Sequence, residues 1–181
     1  MKTRIYVTAW VTLAIGALVG CSAQSKKSPD VSESIRTSLD QAGLKDVSVS
    51  QDREKGVVTL SGHVASENDR AQAEALAKPY AAGQVVSDQI AVIPPGAESD
   101  AKAINSDVDA AIEKNLDATL IQNRMNKEVK HSVKNGVVTL TGEVHSQARR
   151  SQAETVAAGV PNVRQVVNEL QVKDQKATST R

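Results

Sequence analysis

A stretch that reads as one strand occurs twice in this chain, and it ties the fold to a duplicated unit. Residues 56–66 (GVVTLSGHVAS) return 80 positions later as residues 136–146 (GVVTLTGEVHS). In each copy Val58, Leu60, Gly62 and Val64 (Val138, Leu140, Gly142 and Val144) alternate with Thr59, Ser61 and His63 (Thr139, Thr141 and Glu143). Period two is the pattern of a strand with one buried face. Gly62 and Gly142 fall in the apolar phase, so they are expected on that face, where another element approaches closely. The match continues through Gln72, Ala73 and Glu74 (Gln152, Ala153 and Glu154) and through Val86, Ile90 and Val92 (Val166, Leu170 and Val172). Two units of roughly 65–70 residues bury only ~60% of their unfolded surface and are each marginal alone. Tyr80 is the only aromatic residue beyond position 10, so both cores are aliphatic.

Around that strand each unit has the order α-β-β-α-β. In residues 30–93, Asp30 and Glu33 resemble a capping box ahead of a helix carrying Val31, Ile35 and Leu39, with Gly43 ending it. Val47 and Val49 mark a short strand, residues 53–56 turn the chain at Gly56, and Ser66 caps a second helix with Ala73, Leu76 and Ala77 inward. Pro79 or Gly83 stops that helix, and a strand over residues 84–93 closes the unit. Residues 94–105, opening with two prolines, read as a linker.

Residues 106–173 repeat the order. Ser106 is the expected cap, and Val108, Ile112 and Leu116 match Val31, Ile35 and Leu39 with a shift of 77, which places three extra residues before the repeated strand. Val129, His131 and Val133 form the short strand, Asn135 and Gly136 a hairpin turn, and Ser146 the next cap. Gly159 and Pro161 end the second helix, the closing strand runs to Lys173, and residues 174–181 read as a disordered tail. The fold class is α+β: two tandem domains, each a small three-stranded mixed sheet packed by two helices.

Residues 1–20 read as a signal peptide, with Lys2 and Arg4 ahead of an apolar run. That run is shorter than the ~20 residues a spanning helix needs. Its end, Leu18, Val19, Gly20 and Cys21, resembles the bacterial lipoprotein signal, which implies that Cys21 is acylated and becomes the mature N-terminus; an uncleaved anchor or ordinary secretion is the other reading. Cys21 is the only cysteine. Residues 21–29 then form a lipidated tether, and Ser22 after the cysteine resembles the pattern for delivery to the outer membrane. Without residues 1–20 the balance is 20 basic against 21 acidic side chains, which makes no electrostatic case for nucleic acid.

The element order, the strand pattern of Gly56 to Gly62 and Gly136 to Gly142, and the closing Val166, Asn168, Leu170 and Val172 together resemble the BON domain, in both units. Asp88 departs from the pattern at the position of Asn168. The resemblance implies a non-catalytic envelope protein without cofactor, held at the periplasmic face of the outer membrane. It further implies binding of anionic phospholipid through the second unit, or service as a periplasmic chaperone-like or protein-interaction module on a lipid leash.

Charge distinguishes the units independently. Residues 30–93 hold 6 basic and 10 acidic side chains, and residues 106–173 hold 9 and 8. Arg124, Lys127, Lys130 and Lys134 cluster in the second unit with Ile121 and Met125 among them, an arrangement suited to apolar insertion beneath a basic rim; a solvated surface is the bland alternative. Arg149 and Arg150 open a helix, where positive charge opposes the dipole. No histidine is shared between the copies, and His63, His131 and His145 lack metal-ligand spacing, so neither catalysis nor a metal is expected.

Overall fold

The computed structural model describes residues 27–173, so the signal peptide, Cys21, most of the tether and the tail over 174–181 lie outside the described residues. The first domain holds α1 (Ser32–Gln41), β1 (Val47–Asp52), β2 (Val57–Val64), α2 (Glu67–Ala77), a 3-10 turn at Lys78–Tyr80 and β3 (Val85–Val92). The second holds α3 (Glu98–Gln122), β4 (Val129–Lys134), β5 (Val137–Val144), α4 (Gln147–Ala158), β6 (Gln165–Asn168) and β7 (Gln171–Val172). Each repeated strand is central, with an antiparallel neighbour before it and a parallel one after it. Pairing the first two strands needs only a turn, whereas the parallel pair needs the helical crossover that α2 and α4 supply. One core gathers Ile35, Leu39, Val58, Leu60, Ala73 and Ile90, and the other Leu116, Leu120, Val138, Leu140, Ala153 and Leu170. Small Ala73 and Ala153 let the crossover helices sit close to their sheets.

Several expectations are corrected. Gly62 is exposed and Gly142 partly so, not on the buried face. Close approach is real, but it is by backbone. With φ at +105° and +122°, a Cβ at these positions would meet the Asp46 and Glu128 carbonyl oxygens at 2.0 and 2.2 Å. Glycine is required there because the chain is left-handed and a carbonyl occupies the side-chain space. Asp30 does not cap α1. Val31 is the N-cap, its N–H donates to Gln51 Oε1, and Asp30 Oδ1 accepts from the Ser32 N–H and hydroxyl. Ser66 and Ser146 do cap α2 and α4, accepting from the Asp69 and Arg149 N–H groups.

Ser106 lies inside α3, which starts at Glu98 as soon as the Pro94–Gly96 turn is past. Nothing between Glu98 and Gln122 breaks a helix, and Glu98 and Asp100 complement the dipole of its first turn. The helices are also paired one turn differently from the sequence match. Leu44 N–H bonds the Leu39 carbonyl as Met125 N–H bonds that of Leu120, so Leu120, not Leu116, stands where Leu39 does. The added length of the second unit therefore sits at the N-terminus of α3, whose buried residues begin only at Ile112, and not before the repeated strand. The closing strand of the second unit is divided into β6 and β7, whereas β3 is continuous.

The domains dock through the sheet surfaces opposite their helices, and one pair of polar contacts is reciprocal. Val57 packs with Val137 and Val167 in a small buried cluster. Lys55 Nζ meets Glu169 Oε2 at 2.7 Å, and at the matching positions Asn135 Nδ2 donates to the Gln89 carbonyl at 2.8 Å. The Glu169 carboxylate holds the Lys55 pKa above the ordinary lysine value. Such reciprocity is the geometry of a two-fold interface, here formed inside one chain.

Candidate functional site

The corner where α3 gives way to β4 carries the basic cluster, and its backbone explains the display. The helix ends in the bond pattern that normally wants glycine just past the C-cap, as Gly43 provides in the first domain at φ +81°. Here Arg124 takes that place at φ +56°. A non-glycine residue in this region costs about 1 kcal/mol. Its carbonyl is held by Arg149 Nη2, and its side chain is exposed with Lys127 and Lys130. Ile121, one helical turn earlier, is 59% exposed. Met125 is corrected: at 0% exposure it belongs to the second core, against Leu120 and Val129, and offers nothing to an outside partner. The apolar component of this corner is therefore Ile121 alone.

Arg149 and Arg150 are engaged within the domain. Arg149 Nε lies 3.3 Å from Glu128 Oε2, and the other oxygen of that carboxylate, Oε1, stands 3.4 Å from His145 Nε2. Arg150 donates to the Asn168 carbonyl, while its Nε is buried without a hydrogen-bond partner. His131 sits 3.6 Å from Asp117. Gly136, with Asn135, forms the left-handed turn from β4 to β5, and both N–H groups are capped by the two Asp109 carboxylate oxygens at 2.8 and 2.7 Å. Gly56 occupies the corresponding position at φ +68°. A groove of about 550 Å³ lies between α3, the end of β3 and this hairpin, with His63, Ile93, Lys102, Glu113 and Lys134 among its walls. Its charges are mixed, and Asp109 is already committed to the hairpin.

Two units of one architecture, each built on the repeated strand, are now in view, and each matches a known family separately: residues 28–94 and residues 102–174 match the BON domain. The chain belongs to the BON-domain family. This BON protein is 32% identical over 137 residues to Osmotically-inducible protein Y of Escherichia coli (strain K12), covering 75% of this chain and 67% of that protein. Among solved structures it is similar to the C-terminal domain of CdsD, a structural protein of the type III secretion system of Chlamydia trachomatis. There the TM-score is 0.35 at 15% identity, over 80% of this chain and 98% of that one. A second CdsD structure gives a TM-score of 0.35 at 14% identity.

Within the BON pattern, the departure at Asp88 has a physical role. Both Asp88 and Asn168 accept an N–H two residues on, from Ile90 and Leu170. Asn168 also donates through Nδ2 to the Arg150 carbonyl and to Glu154 Oε2. Asp88 cannot donate, and instead lies 3.5 Å from Arg70 and 3.4 Å from Arg164 of the other domain. Burial raises its pKa, opposed by the Ile90 N–H and by Arg164 and Arg70. Sequence reasoning marked the substitution but passed over Arg164 and Gln165, because neither position has a matching residue in the first unit. That asymmetry was the available signal.

Proposed function

We propose that this BON-domain protein is a non-catalytic envelope lipoprotein, anchored by acylated Cys21 at the periplasmic face of the outer membrane, where its second domain contacts anionic phospholipid and supports membrane integrity. The observation that carries the contact is Arg124. A left-handed arginine replaces the expected glycine and points an exposed cation outward beside Ile121, Lys127 and Lys130. Local strain at a surface turn is a reason to look for function there. Charge favours the same domain, since residues 30–93 carry a net −4 and residues 106–173 a net +1. The likeness to an osmotically inducible protein fits a role in envelope stress.

Each cation held at an anionic surface contributes about 1 kcal/mol, screened by salt. Changing Arg124, Lys127 and Lys130 together to Gln should lower vesicle affinity about a hundredfold at low salt. Flotation of the leaderless chain with anionic and with zwitterionic vesicles reads this out. Binding that ignores salt, headgroup charge and the triple change would place the contact elsewhere; no vesicle binding would leave the lipid as a leash only.

A further inference from the structure

The middle of the outer edge of β3 is closed by side chains, most of them from the other domain. Gln165 places its amide against this edge as a peptide group would: Oε1 accepts from the Asp88 N–H at 2.9 Å, and Nε2 donates to the Val86 carbonyl at 2.6 Å. Arg164 Nη2 donates to the Asp88 carbonyl at 3.3 Å, and Asp88 Oδ1 takes the Ile90 N–H at 3.1 Å. From the Val86 carbonyl to the Ile90 N–H, every outward group thus has a partner. Otherwise β3 has few of the features that keep an edge strand from pairing. Its eight residues, Val85–Val92, are continuous, contain no proline or lysine, and include a single charge, Asp88. The equivalent strand of the second domain is cut into pieces of four and two residues.

We infer that the β3 edge is a strand-addition site for an extended polypeptide segment, covered in this conformation by Arg164 and Gln165 of the second domain. The bonds made by Gln165 are those an added strand would make to Val86 and Asp88, so exchanging one for the other leaves no buried group unpaired. The Arg164 guanidinium, beside the Asp88 carboxylate, marks what the incoming segment must bring: a basic residue at the matching position. The cover is held by a small contact of three valines and a few polar bonds, which makes displacement accessible. The site shares no residue with the vesicle contact proposed above, which uses Ile121, Arg124, Lys127 and Lys130.

The test uses the leaderless chain and a spin-labelled heptapeptide of alternating valine and threonine with a central arginine. The Arg164→Ala, Gln165→Ala double variant should bind it about tenfold more tightly than the parent. A peptide with glutamate at its centre should bind at least about tenfold less tightly than the arginine form. Signal broadening should centre on the Asp88 and Ile90 amides. If the double variant does not fold, the parent at millimolar peptide decides by the same amides. Broadening at β1 or β4, no broadening, indifference to the central charge, or a folded variant that dimerises without binding peptide would overturn the inference.

Discussion

The two domains share a backbone and differ where each faces something outside itself. At the end of the first helix the first domain has Gly43 in the left-handed turn, and the second has Arg124. At the closing strand the first has Asp88, paired across the domain boundary, and the second has Asn168, satisfied within its own domain by Arg150 and Glu154. What both keep is what the chain path demands: a glycine under a carbonyl at Gly62 and Gly142, serine caps at Ser66 and Ser146, and an Asx bond to Ile90 or Leu170. Duplication preserved the backbone requirements and released the surface, so the differences between copies are a better guide to function than the identities.

The sharpest attack on the shared part is Gly62→Ala or Gly142→Ala. Left-handed strain and the clash with a carbonyl together should cost about 3 kcal/mol, felt equally in either domain. Denaturant melts of the two variants check this. A neutral result at one site would show that the copies do not use the same turn.

Exchanging the closing residues comes next. Asn168→Asp removes donation to the Arg150 carbonyl and brings a carboxylate against Glu154, at a cost of about 2 kcal/mol. Asp88→Asn should cost less than about 1 kcal/mol, because the bond from Ile90 survives and only the partly exposed pairs with Arg70 and Arg164 are lost. The pH response separates them further. Burial raises the folded pKa of Asp88, so its contribution is complete below the ordinary 3.8 and is lost as pH rises through the raised value. Asp88→Asn should therefore flatten the stability profile above pH 3.8, measured as melting temperature against pH.

Modest stability effects are also expected at the helix ends, and there they should have opposite signs. Arg124→Gly should stabilise by about 1 kcal/mol while weakening vesicle binding, and Gly43→Arg should destabilise by a similar amount without creating any. If Arg124→Gly left binding intact, the strained arginine would have no part in the membrane contact.

Much of this was legible from the residues, for reasons that differ by level. The α-β-β-α-β order followed from period-two and period-four apolar patterns and from the Ser66 and Ser146 caps, all local signals. Register between the helices was not, because Ile112, Leu116 and Leu120 are spaced alike and only the bonds at the helix end choose among them. Met125 looked like part of the basic corner in sequence, yet the left-handed turn at Arg124 sends it inward. The burial of Val57, Val137 and Val167 depends on domain docking, which no periodicity within one strand reveals.

The most direct measurement of the central claim, that the second domain and not the first meets the membrane, uses tryptophan placed on each. Trp10 is the only native tryptophan, so the leaderless chain has none. Ile121→Trp reports on the second domain, and Tyr80→Trp, at a position 45% exposed, reports on the first. With anionic vesicles the account predicts a blue-shifted emission for Ile121→Trp that salt reverses, and no change for Tyr80→Trp. A shift at position 80, or none at position 121, would contradict it.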